Sequence, residues 1–215
     1  YYFDPTAAYF ACKKACEPLH IQWNPVREDV EVVNYHAGSK KDIKTVACLL
    51  NQDGKEVWKN ELSLDIEDDQ TVACFPLALD KPTTETYYIK LLLSDKDGTI
   101  LSENFYVRGK NEDNYQSLLS LPKTTITTDW KTIQVGDQWI IEGTIKNDSD
   151  VPALMIRLQV KGNQSQERIL PAFYNDNYFA LMPGEVKKIR IKVAKEDCRG
   201  EQPFVEHSGF NLRGL

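Results

Sequence analysis

The sequence predicts an all-β fold: two immunoglobulin-like antiparallel β-sandwiches preceded by a short N-terminal helix. Three observations lead there. Beyond Leu19, apolar residues recur in short runs that largely alternate with polar ones, as in Val186-Lys-Lys-Ile-Arg-Ile-Lys-Val193, the pattern of strands with one buried face. Turn residues separate these runs, Asp53-Gly54 and Asp97-Gly98 among them, and Asp-Gly between apolar runs is a strong hairpin signal. The length of 215 residues suits two domains of roughly 100 residues each.

The helix comes first. Asp4 is placed to cap orphan N–H groups, and Pro5 suits the first helical position. Residues 7–16 hold four alanines and no Gly or Pro, and Pro18 ends the run. A helix this short is marginal alone. Without a partner upstream it is expected to fray or to dock where it can. Strand candidates follow at 19–23, 31–35, 43–50, 56–64, 71–77, 87–93 and 100–107. Seven strands with no helix between them indicate a first sandwich over 19–108. Residues 109–121 are polar, rich in Asn, Asp and Ser, and read as a linker. Strands resume at 124–129, 138–146, 153–160 and 203–210, which gives a second sandwich over 122–215. Within it, Pro183-Gly184 suits the central positions of a type II turn, because Pro presets φ and Gly accepts a positive φ. A hairpin at the sandwich edge is expected there, preceded by an aromatic loop over 170–185.

Composition narrows the function. Apolar residues make up 41% and charged ones 27%, as in an ordinary globular chain able to bury real cores. The net charge of −6 offers no basic field to attract nucleic acid. No apolar run approaches the ~20 residues of a membrane-spanning helix. Neither nucleic acid nor membrane is an expected partner. The chain opens on Tyr1, and its only methionines are Met155 and Met182. It is therefore expected to be a piece of a longer polypeptide, in which case the lack of a signal peptide says nothing about compartment.

Reactive chemistry finds little support. The five cysteines are odd in number and sparsely spaced, which argues against a disulfide scaffold. Cys48 and Cys74 lie in strand-like segments and leave open either a bridge between facing sheets or two buried thiols. His20, His36 and His207 are scattered singly and form no zinc set. No Gly-rich phosphate loop or nucleophile elbow occurs. The carboxylates offer no pair that can be placed across a sugar ring, and Asp65-Ile-Glu-Asp-Asp69 reads as a solvated turn. No catalytic residue, metal or cofactor is expected.

Aromatic residues supply the remaining candidates. Trp23, Trp58, Trp130 and Trp139 have the faces needed to stack on sugar rings, but Trp58 and Trp139 lie within alternating strands and read as core. In the 170–185 loop, Tyr174, Asn175, Asp176, Asn177 and Tyr178 combine aromatic faces with amides and a carboxylate, the usual make-up of polar-ligand sites. These five are the candidate carbohydrate-binding residues. The alternative is that they anchor the loop. Asn175-Asp176-Asn177 lacks the spaced acidic pattern of a calcium loop.

Two phrases carry a resemblance. Asp4-Pro-Thr-Ala-Ala-Tyr-Phe-Ala-Cys-Lys-Lys-Ala-Cys-Glu-Pro-Leu-His-Ile-Gln22 resembles the exit from the catalytic barrel of family-2 glycoside hydrolases of the exo-β-glucosaminidase and β-mannosidase type. Pro171-Ala-Phe-Tyr-Asn-Asp-Asn-Tyr-Phe-Ala-Leu-Met-Pro-Gly-Glu185 is similar to a phrase of their final sandwich domain, and His207-Ser-Gly-Phe-Asn-Leu212 resembles its last strand. The resemblance implies that residues 1–18 are the tail of an upstream barrel and that both sandwiches follow it as accessory domains. It implies a parent enzyme that removes terminal β-linked glucosamine, or mannose, by a retaining two-carboxylate mechanism. The catalytic carboxylates would then lie upstream of Tyr1. The expected partners are that barrel and an oligosaccharide, and export of the parent is what the family implies.

Overall fold

The computed structural model describes residues 3–111 and 114–213. The chain divides into two compact units, one of Ala11–Leu121 and one of Pro122–Leu215 together with Tyr1–Phe10. A helix, α1 (Ala7–Ala15), precedes the strands. It begins two residues beyond Pro5, and Thr6 O accepts from Tyr9 N at 3.1 Å. The Asp4 carboxylate is paired with arginines of the second sandwich, which corrects the capping role expected for it.

In the first sandwich, β1 (Leu19–Asn24), β2 (Asp29–Asn34) and β5 (Gln70–Pro76) form one antiparallel sheet. The other runs β4 (Glu56–Ile66), β3 (Lys40–Asn51), β6 (Thr86–Ser94) and β7 (Ile100–Gly109). Alternation along β3 and β6 sends Ile43, Ala47, Leu49, Ile89, Leu91 and Leu93 into the core, with Leu49 opposite Ile89 and Ala47 opposite Leu91. Ile21, Val30 and Val32 cover them from the facing sheet. Both Asp-Gly turns close hairpins as expected. Gly54 N donates to Asn51 O and Gly98 N to Asp95 O, with the glycines at φ 84° and 81°.

Cys48 alternates with Ala47 and Leu49, so it lies on the outer face of its sheet. Cys74 packs against the core. The two cannot meet, and all five cysteines are free thiols. Burial pushes the Cys48 thiol up to about 12 and the Cys74 thiol upward too. Cys12 and Cys16 are exposed, and Cys16 N donates to Cys12 O at 3.0 Å, extending the helical pattern past Ala15.

The segment expected as a linker contains a 3-10 turn, Gln116–Ser120, tied to the first sandwich. Gln52 Nε2 donates to Ser117 O at 2.8 Å, and the hydroxyls of Thr86 and Ser117 lie 2.6 Å apart.

In the second sandwich, one sheet runs β11 (Ala172–Tyr174), β13 (Val186–Ala194), β9 (Gln138–Lys146) and β8 (Thr127–Val135). The other runs β12 (Phe179–Leu181), β10 (Ala153–Gly162) and β14 (Pro203–Ser208). Ile141, Ile145, Ile189, Ile191 and Val193 face Ile156, Leu158 and Val160 in its core. All four tryptophans lie partly buried against the two cores. Trp130 stands opposite Gly143 on β9, where a Cβ would come within 2.4 Å of the indole.

Three expectations need correction here. The opening strand of this sandwich runs over Thr127–Val135, not over the expected 124–129: Thr124 instead bridges to Leu212, and pairing with β9 continues to Val135. Val186 is 55% exposed; it shares strand parity with Lys188 and Arg190, not with the buried Ile189. Most informative, the strands on either side of Pro183-Gly184 are not a hairpin. β12 pairs with β10, whereas β13 pairs with β11 and β9 in the opposite sheet and is an interior strand. The turn itself forms as read, with Gly184 at φ 78° and Glu185 N donating to Met182 O at 3.0 Å. It carries the chain from one sheet to the other.

Candidate functional site

The 170–185 loop is built around Asn177, which is 4% exposed. Its Oδ1 accepts from Leu158 N at 2.8 Å and its Nδ2 donates to Leu158 O at 3.0 Å. The side-chain amide thus takes the place of a strand partner for β10, satisfying two backbone groups that would otherwise be buried unpaired. Asn177 Oδ1 also accepts from Tyr178 N at 3.0 Å, and Tyr178 is held at φ 57°. A bulky residue keeps that left-handed conformation only where its surroundings over-determine it.

The neighbouring candidates point their polar atoms into the same frame. Tyr174 packs on the core, and its hydroxyl accepts from Val160 N at 3.1 Å. Burial raises its phenol to about 12, with the Val160 bond and Arg168 acting in the opposite direction. Asp176 pairs with Lys187 at 2.8 Å and accepts from Asn177 N at 2.9 Å. Asn175 extends the pairing of β11 with β13: its N–H donates to Arg190 O at 3.0 Å, and its Oδ1 accepts from Arg190 N at 2.8 Å. Among the five, only Asn175 is exposed.

The structure brings further residues to this loop that sequence reasoning did not single out. Phe10 is 4% exposed, with its ring centroid 6.4 Å from that of Tyr174 and 6.0 Å from that of Tyr178. The Arg157 guanidinium carbon lies 5.8 Å from the Tyr178 ring centre. Asp4 pairs with Arg168 and, at 3.5 Å, with Arg157. With its amide assigned so that the oxygen faces the same arginines, Gln159 accepts from Arg168 Nε at 2.9 Å and from Arg157 at 3.3 Å. The Arg168 hydrogen bond lowers the Asp4 carboxyl below its usual range, against a smaller desolvation effect. Arg157 and Gln159 alternate with Leu158 and Val160 along β10, a pattern visible in the sequence as an outward face; Asp4 and Phe10 carry no comparable local signal.

Apart from this loop, an open groove of about 770 Å³ is lined by Asp137, Trp139, Lys195, Glu196 and Glu201 among others. One Glu201 oxygen accepts from Gln164 N at 2.9 Å and Ser165 N at 3.0 Å, which fixes the 162–166 turn. Among the described residues, no group of three or more His, Cys, Asp and Glu side chains is arranged to hold a metal ion.

This architecture defines tandem immunoglobulin-like sandwiches. The model of the exo-β-D-glucosaminidase Ig-fold domain matches residues 104–212, just over half of the chain, and the chain belongs to that family. It is 27% identical to an exo-β-D-glucosaminidase of Amycolatopsis orientalis, over 98% of this chain and 22% of that one. It is 26% identical to an exo-β-D-glucosaminidase of Arthroderma benhamiae, over 99% of this chain and 25% of the relative. The crystal structure of the Amycolatopsis orientalis exo-chitosanase CsxA superposes with a TM-score of 0.90 at 25% identity, covering 98% of this chain and 28% of that one. The chain thus spans about a quarter of the length of the relatives it matches.

Proposed function

We propose that these two sandwiches are non-catalytic accessory domains of a glycoside hydrolase that removes terminal β-linked glucosamine from oligosaccharides, and that they brace its catalytic barrel. The family match supports the accessory role. The observation that carries bracing over sugar binding is the inward use of the 170–185 loop. Asn177, Asp176 and the Tyr174 hydroxyl are bonded to the sandwich itself, and Phe10 covers the two tyrosine rings. The parent's chemistry, in this reading, is a retaining two-carboxylate hydrolysis performed by residues outside this chain. Its export belongs to the same proposal; among the described residues, no helix is long and apolar enough to cross a membrane.

The test is a titration of the chain with chitosan and manno-oligosaccharides, followed by amide NMR shifts, beside an assay on aryl β-glucosaminides and β-mannosides. No turnover and no shifts at millimolar sugar are expected. Shifts gathered on Tyr174, Asn175, Asp176, Asn177 and Tyr178 would favour the other reading, in which the loop is a carbohydrate-binding module. Turnover would overturn the accessory role.

A further inference from the structure

The second sandwich carries a notch with two chemically distinct halves. One half is cationic. Arg157 and Arg168 converge on a single carboxylate, and the Gln159 amide lies within hydrogen-bond distance of both guanidinium groups. Arginine suits this task because its planar fork holds several donors in a set geometry. The other half is aromatic. The Tyr174 ring is tied by its hydroxyl bond to Val160 N, and the Tyr178 backbone by the bond of its N–H to Asn177 Oδ1. Phe10 meets both rings, in an edge-on contact with Tyr174 and a tilted contact with Tyr178.

Both halves are anchored by bonds internal to the sandwich, so the notch stands as a preformed receptor. Among the described aromatics near the N-terminus, it is Phe10 that the notch buries. Phe10 is 4% exposed, whereas Tyr9 is 55% and Phe3 is 78% exposed. Pro5 adds to the fit, because the residue before a proline is held in an extended conformation, and Asp4 is that residue.

We infer that this notch is a peptide-recognition site whose occupant is the chain's own segment 4–10, read as a carboxylate followed six residues later by an aromatic ring. The segment acts as a clasp: Asp4 sets its direction through the arginines, and Phe10 supplies the buried contact. The inference rests on contacts within this one unit and goes beyond the accessory reading, since it names the site and the peptide chemistry it accepts.

Hydrogen exchange on the whole chain tests it. Phe10→Ala is expected to speed exchange of the amides at positions 9 and 10 about a hundredfold, the scale of losing a buried phenyl ring from a local opening equilibrium. Asp4→Asn should give a smaller acceleration that high salt reproduces in the parent sequence, as for a partly exposed ion pair. In a second arm, a synthetic peptide of residues 3–16 is added to the chain carrying both Asp4→Asn and Phe10→Ala. Saturable movement of the Tyr174 and Tyr178 ring signals is expected with that peptide, and none with the same peptide carrying Ala in place of Phe10. Unchanged exchange in Phe10→Ala, or equal effects of the two peptides, overturns the assignment. Chitosan shifting those ring signals in the doubly substituted chain would give the notch to sugar instead, an outcome separate from the turnover assay on the accessory role.

Discussion

Two turns in this molecule share their local chemistry and differ in what they join. At Asn51–Lys55, Gly54 stands at φ 84° and its N–H closes onto Asn51 O at 2.8 Å. At Met182–Glu185, Gly184 stands at φ 78° and Glu185 N closes onto Met182 O at 3.0 Å. The first joins paired neighbours in one sheet, with Asn51 N donating to Lys55 O at 2.9 Å. The second crosses between sheets, because its outward groups bond to Asn147. Gly184 N donates to Asn147 O, Asn147 N donates to Glu185 O, and Asn147 Nδ2 donates to Leu181 O at 2.9 Å. A turn's residue types thus determine its bend, while a distant residue determines which strands it connects.

The largest expected effect breaks this difference directly. Asn147 is fully buried, and its amide also donates to Val151 O at 2.8 Å and accepts from Ser149 N at 3.1 Å. Asn147→Ala leaves several of these groups unsatisfied, at about 1–3 kcal/mol for each. A loss of roughly 3–5 kcal/mol is expected. Calorimetry should show it in the unfolding of the second sandwich alone, with the first sandwich unmoved.

A smaller effect sharpens what the turns share. Gly54→Ala and Gly184→Ala each force a Cβ into the left-handed region, at about 1–2 kcal/mol. The added Cβ at Gly184 meets nothing within 4 Å, so backbone strain is the whole cost there. Similar losses in the two variants, each confined to its own sandwich by chemical denaturation, are expected. A much larger loss at Gly184 would mean that the crossing depends on the glycine as well as on Asn147.

The smallest effect concerns pH and separates the two regions again, since only the second sandwich holds the clasp. The Arg168 hydrogen bond depresses the Asp4 carboxyl in the folded state. A depressed carboxyl contributes stability above its unfolded value, near 3.9, and loses it as pH falls through the folded value. Protection of the amides at positions 9 and 10 should therefore hold near pH 4 and decline in more acid solution. Decline already near pH 5 would contradict the arginine pairing.

The same contrast explains what the sequence disclosed. The two sandwiches, most strands and the bends at Asp53-Gly54, Asp97-Gly98 and Pro183-Gly184 follow from alternation and turn chemistry, which act over a few residues. The sheet crossing after Met182 did not follow, because it depends on Asn147, more than thirty positions away. The aromatic loop was legible as a feature. Its contacts were not: among the described residues, folding brings Phe10 to Tyr174 and Tyr178 and Arg157 to Tyr178. Val186 was misplaced because a run with two adjacent lysines, Lys187 and Lys188, breaks strict alternation and shifts the face by one residue.

Cys12 and Cys16 stand one helical turn apart, exposed, and joined through the backbone by the Cys16 N to Cys12 O bond. Residues so spaced have their Cβ atoms about 5–6 Å apart, within the span of a short bifunctional alkylating reagent. Such a link would hold the end of α1 wound without altering Phe10 itself. It gives a chemical means of altering the order of the helix while every residue of the notch keeps its native identity.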